Sequence, residues 1–227
     1  MNFPDYICVL DFEATCENKP YFDNEIIEFP SVLLKWNGTN YEPISEFQKF
    51  CKPLLDPTVS DFCLNLTGIT QQQVNLGENF PNVIDDHYNW LMANTNGNFY
   101  ILTCGYWDLG IVMISECKKW AMTPKPIYRK LINIKNEYRD FYTKQRGIGM
   151  AAMLTELNII LEGRHHSGID DCRNIAKILQ RMILDGYKFK GESIIDISEK
   201  MYAINPRKKK SIDNAKKVES RMNSEKN

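Results

Sequence analysis

The sequence lacks the features of a membrane-spanning, secreted or zinc-binding protein. No apolar run approaches the roughly 18 residues that a bilayer-spanning helix needs. We expect no signal peptide, because the apolar run near the start, Tyr6 to Leu10, is short and no basic segment precedes it. The seven cysteines include no C-x-x-C pair, which argues against a zinc site or a disulfide framework. We therefore expect free, mostly buried thiols, no membrane partner and a cytoplasmic location.

Charge is nearly balanced overall but unevenly distributed. The 227 residues are 43% apolar and carry a net charge of −1, which suits one sizeable hydrophobic core. Residues 206–227 hold eight basic and three acidic residues, whereas the rest of the chain is acidic. We predict one domain over residues 1–205 and a disordered basic tail over residues 206–227. This tail could attract polyanions, act as a nuclear localisation signal or have no role.

The first quarter of the chain predicts an antiparallel meander of three strands. We expect strands over Tyr6–Leu10 and Ile26–Lys35 and a third within Tyr41–Lys52. Asn37-Gly38 is a strong signal for a hairpin turn between the second and third strands. Pro30 interrupts the second strand, which predicts a sheet edge or a bulge at that point.

Helices alternate with strands after the meander, a pattern typical of a mixed α/β sheet flanked by helices. Further strands are expected at Phe99–Thr103 and, after a short helix, at Leu131–Ile134. Helical spacing predicts helices over Val59–Leu66, Thr70–Asn75, Pro81–Ala93, Leu109–Trp120, Met150–Leu161 with a C-cap at Gly163, and Asp171–Leu184.

Two carboxylates stand together at the end of the first predicted strand. Side chains alternate along a strand, so Asp11 and Glu13 share one face while Phe12 points to the other. Neighbouring carboxylates repel each other unless a cation lies between them, and hard divalent ions bind such oxygens. The alternative is a strand that runs out into solvent and ends in two ordinary surface acids.

Further acids and histidines follow at comparable positions. Asp108 comes after the strand at Phe99–Thr103, where it could be a helix N-cap or a ligand at the carboxyl end of a strand. His165 and His166 precede Asp170-Asp171 at the start of the last predicted helix, where an acid could cap the helix or interact with its dipole. His87, on a helix with an apolar face, is expected at the surface or at its rim.

Together these segments supply what two-metal phosphoryl chemistry requires. Two ions about 3.5–4 Å apart stabilise the attacking and leaving oxygens. A neutral histidine can accept the proton of the attacking water, because its pKa lies near working pH.

Four motifs in this order resemble the DEDDh 3′→5′ exonucleases, and within them the enhancer-of-RNA-interference branch. The motifs are Asp11-Phe12-Glu13-Ala14-Thr15-Cys16-Glu17, Leu66-Thr67-Gly68-Ile69-Thr70, Gly105-Tyr106-Trp107-Asp108 and Gly168-Ile169-Asp170-Asp171. The resemblance implies a ribonuclease H-like, mixed five-stranded sheet, with the three-strand meander first and parallel strands after it. It also implies that residues 1–205 are an exonuclease domain acting on nucleic acid with a free 3′ end, RNA being favoured.

The resemblance also implies roles for individual residues. Two Mg²⁺ ions, with Mn²⁺ as a substitute, would be held by Asp11, Glu13, Asp108 and Asp171, and Glu13 would also count as catalytic. His166 would be the general base, and His165 a neighbour without a catalytic role. The terminal nucleotide would contact Ala14, Thr15, Phe62, Leu66 and Trp107.

The expected reaction is hydrolysis of phosphodiester bonds from 3′ ends, with release of nucleoside 5′-monophosphates. One alternative is a catalytically silent RNA-binding or scaffold module on the same fold, although the presence of all five acid and histidine positions favours the enzyme. A DNA-directed exonuclease is the other alternative, because no residue that reads a 2′-hydroxyl can be recognised in the sequence.

Overall fold

The fold is built on a mixed β-sheet. The computed structural model describes residues 4–19, 22–144 and 147–197. Its strands are β1 (Tyr6–Leu10), β2 (Glu13–Ala14), β3 (Ile26–Trp36), β4 (Tyr41–Lys52), β5 (Glu78–Asn79), β6 (Tyr100–Thr103), β7 (Lys130–Asn133) and β8 (Ile194–Asp196). They lie in the order β5-β4-β3-β1-β6-β7-β8, with β2 paired beside β3. The five predicted strands are all present as β1, β3, β4, β6 and β7, and three short ones are added.

The directions of the strands match the prediction. β1, β3 and β4 form the antiparallel meander, and β6 and β7 continue the sheet parallel to β1. The hairpin between β3 and β4 turns at the expected place, where Gly38 has a φ of 102° and Asn37 Oδ1 accepts hydrogen bonds from the amides of Thr39 and Asn40.

Pro30 does not mark an edge or a bulge, so that expectation is wrong. β3 runs unbroken from Ile26 to Trp36 between two neighbours, and its irregularity in pairing with β4 falls at Leu33/Leu34. The ladder to β1 ends at Ser31, and the ladder to β2 begins at Glu28. Pro30 therefore lies in the gap between these two ladders, where the absence of a backbone N–H costs no hydrogen bond.

Helices surround the sheet. They are α1 (Asp61–Thr67), α2 (Gln71–Asn75), α3 (Phe80–Thr95), a π-helical turn (Asp108–Val112) that leads into α4 (Met113–Lys119), α5 (Ile134–Tyr142), α6 (Met150–Glu156) and α7 (Gly168–Leu184), with short 3₁₀ turns at Pro126–Arg129 and Gly191–Ser193. The α6 prediction is too long: the helix ends at Glu156, and Gly163 lies beyond it in a loop. α5 was not predicted, because its apolar stripe is short and follows β7 without a break.

The main core lies between the sheet and α7. α7 packs across β1 and β3, and its buried side chains include Ile175, Ile178, Leu179 and Met182. Their spacing of three and four residues gives the apolar stripe of an amphipathic helix. This packing brings the N-terminus of α7 to the carboxyl end of β1, which is where the acidic residues lie.

The described residues up to Asp196 belong to one compact unit. The predicted basic tail, residues 206–227, lies outside the described residues, so the division into domain and tail stays a prediction. Within the described ranges, no helix is both long and apolar enough to cross a membrane. All seven cysteines are free and five are buried, as expected.

Candidate active site

A cavity of about 600 Å³ opens where β1 and β6 end and α7 begins. Its lining includes the acidic residues Asp11, Glu13, Asp108 and Asp171 and the imidazoles of His165 and His166. It also includes Lys135 and three of the predicted nucleotide contacts, which are Ala14, Leu66 and Trp107. The three acidic segments that are remote in the sequence thus meet at one place.

The carboxylates of Asp11, Glu13 and Asp171 form the centre of the cavity. One oxygen from each lies within 4.8 Å of the others. Asp11 and Glu13 share a side, as the strand periodicity predicts, because Phe12 turns away and packs edge-on against Phe29 with ring centroids 4.6 Å apart. The spacing suits a shared cation and is unfavourable without one, because like charges repel in a site with little water.

Asp108 lines the same cavity after the carboxyl end of β6, the second of the two positions considered for it. It starts the π-helical turn after β6, and its side chain caps no helix. Instead its Oδ1 accepts a hydrogen bond of 2.9 Å from the backbone amide of Phe12. The N-cap alternative is therefore wrong, and the carboxylate is tied to the segment that carries Asp11 and Glu13. π-helical turns occur frequently at functional sites, because they shift side chains out of the regular helical register.

Burial and mutual repulsion make these carboxylates bind protons tightly. Burial raises the pKa of Glu13 to about 9 and the pKa of Asp171 to about 7, and neighbouring acids add to both shifts. Burial likewise raises the pKa of Asp108 to about 6. The pKa of Asp11 is raised well above its ordinary value by burial and then by Asp108, Asp171 and Glu13. Such a site gains most from a ligand that brings positive charge.

Asp171 supplies a further sign that a cation belongs here. Its Oδ2 accepts a hydrogen bond from the backbone amide of His166 at 3.0 Å. Its Oδ1 is buried and has no hydrogen-bond partner among the described residues. Buried polar atoms are normally paired, so an unpaired carboxylate oxygen that faces other acids fits a metal ligand. The oxygen-rich donor set fits a hard divalent ion.

The two histidines lie at the rim of this cluster. His166 has a positive φ of 66°, and its ring stacks on that of His165 with centroids 4.0 Å apart. Nitrogen atoms of both rings lie within 4.8 Å of an Asp171 oxygen. Burial, with help from His165 and Arg164, lowers the pKa of His166 below its ordinary value. His166 is therefore neutral near pH 7 and able to accept a proton.

Glu28 is a buried acid beside the site that the sequence reasoning missed. Its Oε2 accepts a hydrogen bond of 3.1 Å from the amide of Gly168, and its Oε1 accepts one of 2.7 Å from Gln48. Ser167 makes no side-chain cap at this end of α7, so the Glu28 carboxylate from β3 satisfies the helix terminus instead. The signal available in the sequence was a lone acid within an otherwise apolar strand.

Only part of the predicted nucleotide slot lines the cavity. Ala14, Leu66 and Trp107 do so, and the large side chains of Leu66 and Trp107 remain partly exposed. Phe62 is exposed on α1 but is not among the described lining residues. Thr15 is buried, and its Oγ1 accepts a hydrogen bond of 2.9 Å from the amide of Glu25. Its hydroxyl is thus engaged within the fold and not in the cavity.

His87 is not a surface residue, contrary to the prediction. Its side chain is fully buried beside β3 and β4, where it packs against Phe29 and Phe47. Its Nε2 lies 2.9 Å from Ser31 Oγ, and its Nδ1 lies 2.8 Å from the hydroxyl of Tyr128. With both nitrogens paired, the ring fits a polar group satisfied within the core, remote from the cavity.

Comparison by sequence finds one family model and several relatives. The family model described as Exonuclease (RNase T) matches residues 8–179. Human 3′-5′ exoribonuclease 1 is 39% identical over 208 residues, which cover 89% of this chain and 57% of the relative. Human ERI1 exoribonuclease 3 is 34% identical over 192 residues, which cover 83% of this chain and 56% of the relative. The chain therefore spans a little over half the length of these relatives.

Comparison with solved structures finds the same fold in two exonucleases. The nuclease domain of 3′hExo, described as a DEDDh family member bound to rAMP, superimposes with a TM-score of 0.79 and is 39% identical, covering 83% of this chain and 96% of that one. A 3′-exonuclease described in 3′-end-specific recognition of the histone mRNA stem-loop gives a TM-score of 0.78 and 35% identity, covering 89% of this chain and 72% of that one.

Proposed function

The chain belongs to the DEDDh exonuclease family, and from that premise we propose that it is a 3′→5′ exoribonuclease that releases nucleoside 5′-monophosphates. The observation that carries the proposal is the cluster of carboxylates from Asp11, Glu13 and Asp171 beside the neutral ring of His166, with one unpaired buried oxygen on Asp171. No other described part of the chain combines these groups.

The family depends on divalent metal ions, and we propose that two Mg²⁺ ions bind here, with Mn²⁺ able to replace them. Asp11, Glu13, Asp108 and Asp171 would be the ligands. Bound ions would supply positive charge to the attacking and leaving oxygens. The hydrogen bond from Phe12 to Asp108 and that from His166 to Asp171 would hold two of these carboxylates in place.

His166 would take a proton from the attacking water. The oxygen of that water forms a bond to the phosphorus, and the bond from phosphorus to the 3′-oxygen of the preceding nucleotide breaks. The 3′-oxygen takes up a proton from solvent, and the terminal nucleotide leaves as a 5′-monophosphate. Removing a positioned general base typically lowers a rate by about 10²–10⁴.

Leu66 and Trp107 would contact the terminal base. Both are large apolar side chains left partly exposed at the cavity. Stacking of a base on an aromatic ring contributes about 1–3 kcal/mol and accepts any base, which suits an enzyme that removes nucleotides in succession. RNA is favoured as substrate because the relatives are named exoribonucleases.

The direct test compares wild-type protein with Asp11→Asn on matched RNA and DNA oligonucleotides, with Mg²⁺ or EDTA. We expect chelator-sensitive trimming of RNA by the wild type and none by Asp11→Asn. Asp61→Asn, which changes an exposed acid of α1, is the matched control and should trim normally. Trimming by Asp11→Asn at the wild-type rate would refute the proposal, and faster trimming of DNA than of RNA would refute the choice of substrate.

A further inference from the structure

One lysine, Lys135, lies among the described residues that line the cavity. The other charged groups there are acids, so this lysine is conspicuous in a site built to attract cations. The role of the cluster as a metal site does not explain it, because a cation near the ligands opposes metal binding.

The fold places Lys135 at a defined point. It is the second residue of α5, directly after β7, and its backbone amide donates to Asn133 Oδ1 at 3.1 Å. A Cβ built on Gly105 would lie 3.8 Å from its Nζ, so the amine packs over the turn that follows β6. The side chain is half-buried, and the backbone from which it projects is held by this cap.

The ammonium group is close to the acids but bound to none of them. No carboxylate in the described ranges lies within 4.0 Å of it, whereas Lys49, Lys119 and Lys125 all form ion pairs. It lines the same cavity as Asp108, and its charge offsets part of the rise that burial causes in the pKa of Asp108. A half-buried lysine without an ion pair is free to bind an anion.

The sheet order gives the side on which this anion lies. Asp11 follows β1, and Ala14 lies in β2, which continues β1 along the same edge of β3. Lys135 follows β7, two strands across the sheet from β1. Neighbouring strands are about 4.7–4.9 Å apart, so the ends of β1 and β7 are separated by about 10 Å. An anion on Lys135 is therefore displaced across the sheet from Asp11, away from the line that runs from Asp11 to Ala14.

We propose that Lys135 binds the phosphodiester one nucleotide upstream of the bond that is cut. The inference rests on the proposed function, because it takes the scissile phosphate to lie at the carboxylates and the terminal nucleotide towards Ala14. The RNA strand then leaves the cavity over the carboxyl end of β7. A substrate of three or more nucleotides has this second phosphodiester, whereas a dinucleotide has only the scissile one.

The test compares Lys135→Met, which keeps the apolar stem and removes the charge, with Lys135→Arg and Lys130→Met. Lys130 lies exposed at the opposite end of β7 and is the matched control. The substrates are the dinucleotide ApA, the trinucleotide ApApA and a ten-nucleotide oligoadenylate. We expect Lys135→Met to raise KM about 10–100-fold for the trimer and the decamer, with ApA within twofold of wild type. Lys135→Arg should restore most of the difference.

A salt titration adds a reading that a structural defect would not change. Loss of one phosphate contact should reduce the slope of log affinity against log salt concentration by about 0.7 for single-stranded RNA, measured by binding in the Asp11→Asn background. An active wild type whose Lys135→Met variant is unaffected, or is equally impaired on ApA and the decamer, would overturn the assignment of Lys135. An inactive wild type would instead refute the proposed function itself.

Discussion

Gly168→Ala tests how closely α7 must approach the sheet for the site to form. A Cβ at this position would lie 2.7 Å from Pro30 Cγ, 2.9 Å from the carbonyl oxygen of Asp11 and 3.0 Å from Glu28 Oε2. Ordinary contact begins at 3.4 Å, so the start of α7 would have to move by about 0.7 Å. Two of the three atoms belong to residues with little freedom, a proline ring and a backbone carbonyl.

The expected cost follows from this displacement. Overpacking of this kind destabilises a protein by about 1–3 kcal/mol, less than the stability of a typical domain, so the variant should still fold. The shift would carry Asp171 and His166 away from Asp11, and a misplacement approaching 1 Å can lower a rate by about 10²-fold. We expect both a lower urea midpoint with an unchanged m-value and a fall of up to about 10²-fold in kcat/KM on RNA.

Gly110→Ala is the control for this experiment. Gly110 is also in a helical segment, but its Cβ would meet only Tyr106 Cβ, at an ordinary 3.6 Å. The free energy of unfolding of Gly110→Ala should differ from that of the wild type by less than about 1 kcal/mol. A Gly168→Ala protein with the midpoint and the rate of wild type would refute the account of how α7 is positioned.

Three further predictions concern the site and the core. At saturating Mg²⁺, His166→Ala should lower kcat by about 10²–10⁴. It should also remove the acidic limb of the pH–rate profile, which in the wild type rises through a pKa below the usual histidine value. An unchanged profile would contradict the role of His166 as the base. Mg²⁺ should raise the melting temperature more at pH 8 than at pH 6, because Asp171, with a pKa of about 7, must lose its proton to bind a cation. Calorimetry that shows tighter Mg²⁺ binding at pH 6 than at pH 8 would contradict this prediction. Burial lowers the pKa of His87 to about 3, so unfolding takes up a proton and the free energy of unfolding falls as pH decreases from about 6.5 towards 3. In denaturant titrations, His87→Gln should lack this part of the pH dependence. An identical pH dependence in the variant would contradict the prediction.

The sequence was most informative where local pattern and tertiary role agree. β1 begins and ends at the predicted residues, because its apolar run is short and clearly bounded. β4 fills the whole range within which the third strand was predicted, after a strong turn signal. The pairing of Asp11 with Glu13 on one side also followed from strand periodicity alone. The choice between Asp170 and Asp171 did not, since both acids lie in the first turn of α7.

The wrong or missing predictions concern residues whose environment is set by segments distant in the sequence. The local pattern of Pro30 gives no hint that its missing N–H falls in a gap between two ladders. The burial of His87 depends on partners from β3 and from the turn before β7, 56 and 41 residues away. Glu28 likewise acts on Gly168 across 140 residues. Such contacts are properties of the sheet order and not of any one window of sequence.

The most direct test of the central claim is a crystal structure of the protein grown with Mn²⁺, examined by anomalous scattering. The account predicts anomalous density between Asp11, Glu13, Asp108 and Asp171, within coordination distance of their oxygens and including the unpaired Oδ1 of Asp171. It also predicts that this density is absent from crystals of Asp11→Asn. Mn²⁺ bound elsewhere on the wild type, with these carboxylates free of metal, would contradict the account.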